Sequence, residues 1–142
     1  MKKIVLLFSF LLVFCIGVFS QNWSKFSGIW EGKIKIDGKD ANISLRIKID
    51  SEDELVYQYF SNSSGGWDLV APDTEDWECY GDNMTYFWIN TGGIWSETQC
   101  FSMTLIDSWV MSVRWMRHVN NRASGKTGED WYLTGGGRLY LK

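Results

Sequence analysis

The feature that most constrains this chain is strict alternation of apolar and polar residues. Ala41, Ile43, Leu45, Ile47 and Ile49 fall on one face of an extended segment, and Asn42, Ser44, Arg46 and Lys48 fall on the other. Trp109, Met111, Val113, Trp115 and Val119 repeat the pattern, with Arg117 as the one charged member of the apolar set. A period of two marks a half-buried strand, and no stretch after residue 20 carries the 3.6-residue period of an amphipathic helix.

The alternation predicts strands at 28–36, 41–49, 55–60, somewhere in 67–80, and at 84–90, 94–105, 109–119 and 130–141. Turn residues separate them: Asp37-Gly38-Lys39-Asp40, Ser61 to Gly66, Gly81-Asp82-Asn83 and Thr91-Gly92-Gly93. Short strands at this spacing fit a sandwich or an eight-stranded up-and-down antiparallel β-barrel, and the barrel is the expectation carried forward. Gly135-Gly136-Gly137 is expected to kink the last strand, which in a barrel pairs with both its predecessor and the first.

The start of the chain reads as an export signal. Lys2 and Lys3 precede an apolar run from Ile4 to Phe19 broken only by Ser9, and Val18-Phe19-Ser20 supplies small residues for cleavage before Gln21. The run is short for a membrane span, and no basic stop-transfer cluster follows it. Residues 1–20 are therefore expected to be removed, leaving one domain over 21–142 in the periplasm or outside the cell. That leaves 142 − 20 = 122 residues; without Lys2 and Lys3, 12 basic residues face 17 acidic ones, a net charge of −5. Such a surface makes nucleic acid a poor partner. No membrane span is expected after processing.

Parity and register locate a candidate site. The apolar faces of 94–105 and 109–119 coincide if Leu105 faces Trp109, which sets Phe101 opposite Val113, Gln99 opposite Trp115 and Glu97 opposite Arg117. The same rule sets Trp88 opposite Trp95, Tyr86 opposite Glu97 and Met84 opposite Gln99. For the first two strands it pairs Ile36 with Ala41, Ile34 with Ile43 and Trp30 with Ile47. Every inward row is then apolar except where Tyr86, Glu97, Gln99 and Arg117 converge, towards the end that carries the longer loops. An apolar cup with a few convergent polar groups is what a small-molecule pocket requires. Trp88, Trp95 and Trp115 are its candidate walls, and Arg117 its candidate receptor for an acidic head group.

Gly28-Ile29-Trp30 on the first strand resembles the Gly-x-Trp motif of lipocalins, and Asp107-Ser108-Trp109 sits where that family carries Thr-Asp-Tyr. Gly128-Glu129-Asp130-Trp131, followed by Thr134 and glycines, is similar to the last strand of avidins. The chain thus resembles the calycin superfamily. The resemblance implies an eight-stranded barrel closed at one end by Trp30, with a ligand inside. Gly32 and Ile36 stand where avidins place biotin-contacting Asn and Ser, so biotin is disfavoured.

Cys79 and Cys100 are the two cysteines beyond Cys15, and an oxidising compartment favours their disulfide. If Trp77 to Tyr80 pairs with the strand at 84–90, however, they lie about 9–11 Å apart, too far for a bridge. Either 77–80 is loop or the bridge is absent; the exported setting favours the bridge. From Ile49 to Val113 there are twelve acidic residues and no Lys or Arg, while Lys33, Lys35, Arg46, Lys48 and the stretch from Arg114 to Lys126 are basic. In a barrel the last strand is the only one between the two basic regions, which gives one acidic and one basic side able to steer a protein partner; the plainer alternative is a solvated face of mixed signs. His118, the only histidine, points outward, and no nucleophile–base pair, metal set or cofactor motif is visible. The expected function is binding of a small apolar or amphipathic ligand without catalysis. The alternatives are an envelope protein-interaction or inhibitor domain with a filled core, and a carbohydrate-binding module using exposed Trp rings.

Overall fold

A computed structural model describes residues 23–121 and 130–142. The expected export signal, and part of the connection between the last two strands, lie outside them. The described residues form nine antiparallel strands in one sheet, with no α-helix among them. They are β1 (Gly28–Ile36), β2 (Asn42–Asp50), β3 (Leu55–Ser61), β4 (Trp67–Leu69), β5 (Thr74–Tyr80), β6 (Asn83–Gly92), β7 (Trp95–Leu105), β8 (Val110–Asn121) and β9 (Asp130–Leu141). The order across the sheet is β4-β3-β2-β1-β9-β8-β7-β6-β5.

The sheet curls but does not close. Five strand spacings separate β3 from β7, roughly 24 Å if the sheet were flat. Yet the Gln58 side chain on β3 donates to Gln99 on β7 at 3.3 Å. The inner faces of the two halves therefore meet, and β4 and β5 end as unpaired edges on either side of a seam. This corrects the expected eight-stranded closed barrel. The segment at 67–80 splits in two: β4 pairs with β3 for three residues only, then leaves near Pro72, which has no amide to donate. The double pairing of the last strand is as expected, because β9 pairs with both β8 and β1. There a Cβ on Gly32 or Gly137 would collide with a carbonyl oxygen of the neighbouring strand, so the close approach of β1 and β9 requires glycine.

Register follows the turns. The β1–β2 pairing is the predicted one, Ile34 with Ile43 and Trp30 with Ile47, around a turn in which Gly38 has φ of 70°. In the β7–β8 hairpin the Asp107 carboxylate accepts the amides of Trp109 and Val110 at 2.7 and 2.9 Å. That lengthens the turn, sets Leu105 opposite Met111 and Gln99 opposite Arg117, and leaves Trp109 66% exposed. In the β6–β7 hairpin Gly93, with φ of 60°, permits a two-residue turn, so Trp88 faces Gln99 and Gly92 faces Trp95. Both predicted registers are corrected, but by even numbers of residues, and the inward faces survive.

The end away from the long loops is plugged. A 3-10 turn at Trp23–Phe26 buries Trp23 and Phe26, and the Trp30 indole donates to the Phe26 carbonyl at 2.7 Å. Trp23 meets Trp77 edge to face. Above them Leu45, Ile47, Phe101, Met103, Met111 and Leu139 have no accessible surface.

The disulfide expectation is also corrected. Cys79 on β5 and Cys100 on β7 are free thiols flanking β6; Cys79 is buried on the inner face, whereas Cys100 pairs with the outward, exposed Met116 of β8. Two strand spacings and opposite faces of the sheet separate them. Burial pushes the Cys79 thiol up to about 11, against a small opposing pull from Lys25.

Candidate functional site

Above the plug, a layer of glutamines and indoles crosses the interior. Gln58 and Gln99 are 0% and 1% exposed, and Trp88 and Trp115 are each 2% exposed. Buried amides are costly unless bonded, and here the partners form one chain. The Trp88 indole donates to Gln58 Oε1 at 2.5 Å, and Gln58 Nε2 donates to Gln99 Oε1. The Trp115 indole donates to the same Gln99 Oε1 at 2.8 Å, and Gln99 Nε2 donates to Glu97 Oε1 at 2.6 Å. An indole is donor only and a carboxylate acceptor only, so just one orientation of the Gln99 amide serves both.

The chain ends at an ion pair on the rim. Arg117 Nη2 donates to Glu97 Oε2 at 2.9 Å, and Arg117 Nε lies 2.9 Å from Oε1. The guanidinium sits 5.2 Å from the centre of the Trp131 ring, within reach of cation–π attraction. The Arg117 side chain is 33% exposed and that of Glu97 13%. Inward-facing Ile43, Phe60 and Leu133 are only partly buried. Burial is thus less complete at these inward positions than in the layer of Leu45, Ile47, Phe101 and Leu139.

Of the residues singled out from sequence, Trp88, Gln99 and Trp115 are brought together as the floor, and Glu97 and Arg117 as the rim. Trp95 stands apart at the β6–β7 hairpin, 39% exposed beside Gly92. Tyr86 turns towards the seam, donating to Glu75 Oε2 at 2.6 Å. Burial, then the Glu75 carboxylate, hold its phenol well above the usual range. Gln58 and Trp131 were missed. Gln58 carried a signal, as the one polar residue in the inward set Val56, Gln58, Phe60. The Trp131 contact depends on the β8–β9 register, which sets Arg117 opposite Leu133 and Val119 opposite Trp131 and which alternation leaves open.

The site carries one acid, one permanent cation and bonded amides, which suits hydrogen-bonded recognition. Among the described residues no three His, Cys, Asp or Glu side chains gather in a way suited to a metal ion. On the outer surface, β9 lies between β1 and β8, and Lys33 and Arg138 stand directly opposite one another. Comparison with protein-family models, curated proteins and solved structures finds no match, and the chain stands as an all-antiparallel β-sheet protein without a family assignment.

Proposed function

We infer that this is an exported binding protein for a small amphipathic molecule, held in the shallow cup above the glutamine floor. The observation that carries this reading is the abrupt change in burial at that floor. Below it Leu45, Ile47, Phe101, Met103, Met111 and Leu139 have no accessible surface, whereas above it the Arg117 side chain keeps a third of its surface opposite half-buried Leu133, and Ile43 and Phe60 are also only partly buried. The apolar residues suit the body of a ligand. Arg117 has five N–H donors and turns only some of them to Glu97, so a carboxylate or hydroxyl head group finds donors without breaking the pair. With the floor sealed, the ligand sits at the rim and does not thread the interior. The role proposed is binding without catalysis.

The test is intrinsic Trp fluorescence of the purified protein, titrated with decanoate, a retinoid, a haem-like molecule and sugars. Saturable quenching by one of these, weakened in Arg117→Ala, is the expected result. No response to any of them would overturn the reading. Segregated charge favours a second reading, an acidic envelope protein docking on the outer face of β1, β9 and β8, where Lys33, Lys35 and Arg138 have no ion pair among the described residues.

A further inference from the structure

A second site lies on the outside of the sheet, remote from the cup. A groove of about 210 Å³ is lined by Glu31, Gly32, Lys33, Ser44, Trp67 and Lys142. Three features make it a formed site. Arg46 is clamped by Glu31, Nε to Oε1 at 2.7 Å and Nη2 to Oε1 at 2.6 Å, and its guanidinium lies 4.4 Å from the centre of the Trp67 ring. The aromatic wall is thereby held in place against β2. Glu31 Oε2 also receives Lys142 Nζ at 3.5 Å, so its charge is spent on two cations. Lys33, paired with Ser44 on one side and with Arg138 on the other, has no carboxylate partner among the described residues.

Charge and shape together select the ligand. The side chains of Arg46, Lys33 and Lys142 outnumber that of Glu31 and leave the groove positive. Like charges directly opposite on neighbouring strands destabilise a sheet, so the Lys33–Arg138 pair gains when an anion is bound. The volume lies below the roughly 300 Å³ at which drug-sized pockets begin, and fits a single ring. An indole wall packs the C–H face of a pyranose against its negative π-surface, while the Ser44 hydroxyl offers a partner to ring hydroxyls. A bare phosphate would use the cations and leave Trp67 idle; an acidic peptide has no flat C–H face to offer it. We propose that this groove binds a hexuronic acid unit of an anionic glycan, its carboxylate between Lys33 and Lys142 and its ring against Trp67.

The test is isothermal titration calorimetry of the purified protein with tetragalacturonate, beside neutral cellotetraose, inorganic phosphate and a hexa-aspartate peptide. Saturable binding of tetragalacturonate alone is expected, weaker at high salt because the attraction is partly Coulombic. Trp67→Ala should weaken it roughly tenfold and Lys33→Gln roughly fivefold. Trp67→Tyr, which keeps a ring, should restore most of the loss, and near-UV circular dichroism reports whether each variant is folded. Arg117→Ala should leave this binding unchanged, which separates the groove from the cup. Absence of saturable heat with tetragalacturonate would overturn the proposal. So would equal binding of phosphate or hexa-aspartate, or binding indifferent to Trp67→Ala in folded protein.

Discussion

Replacing Gln99 by Met tests whether the floor is held by its hydrogen bonds. Methionine matches the length of Gln99 and removes the oxygen that accepts from two buried donors, Trp115 Nε1 at 2.8 Å and Gln58 Nε2 at 3.3 Å. A buried donor left without a partner costs about 1–3 kcal/mol. The longer bond falls at the low end of that range, which puts the gross loss at roughly 2–4 kcal/mol. The added apolar burial returns at most about 1 kcal/mol. The net destabilisation is thus about 1–3 kcal/mol, and urea unfolding followed by far-UV circular dichroism should show a midpoint lower by roughly 0.5–2 M. The companion is Trp115→Phe, which removes one stranded donor. If the pair acts through its bond, the double variant costs about 1–2 kcal/mol less than the sum of the singles. A midpoint within about 0.3 M of the parent for Gln99→Met, or strict additivity in the double variant, would refute the reasoning.

Other consequences follow from single contacts. Gly32→Ala puts a Cβ into the Arg138 carbonyl and should cost at least about 3 kcal/mol or abolish folding, whereas Gly136→Ala meets mainly the Arg114 side chain and should be milder in the same unfolding assay. Thiol titration of the unfolded, non-reduced protein should count both Cys79 and Cys100 as free, while native Cys79 reacts slowly near neutral pH because its thiol titrates at about 11. Asp37 accepts from Thr134 and Arg114, which lower its carboxyl below the usual 3.8. Its contribution to stability is present above that pH and is lost as pH falls through the lowered value, so Asp37→Asn should flatten the acid limb of a stability–pH profile. Tyr86 behaves oppositely in sign of shift. Its raised phenol means stability is full below its ordinary value of 10.0 and declines as pH rises past it, a decline that Tyr86→Phe should reduce.

The faces of the strands were legible in the sequence, as was the β1–β2 register, but the registers of the β6–β7 and β7–β8 hairpins were not. Tyr86, Trp88, Gln99, Phe101 and Trp115 lie inside as alternation required, because parity survives any even slip. The slips themselves came from turn chemistry that alternation does not encode: the Asp107 carboxylate holding two amides, and Gly93 permitting a tighter hairpin. The seam was hidden for a different reason. Whether β4 and β5 pair depends on a three-residue strand and on Pro72, a local detail set against a sheet that is otherwise continuous. The inward polar cluster was found in outline, since polar residues break an apolar row visibly. Its extension to Gln58 needed the far side of the curl, which brings β3 across to β7.

The central claim is that ligand binds above the glutamine floor and leaves that floor intact. The most direct measurement is a two-dimensional ¹H–¹⁵N spectrum of the labelled protein during titration with decanoate, read at the tryptophan indole signals assigned by substitution. The account predicts saturable movement of the Trp131 indole, at the rim beside Arg117, with the Trp88 and Trp115 indoles unmoved on their glutamine acceptors. Movement of Trp88 and Trp115 ahead of Trp131 would place the ligand in the interior and contradict the account, as would a spectrum that decanoate leaves unchanged.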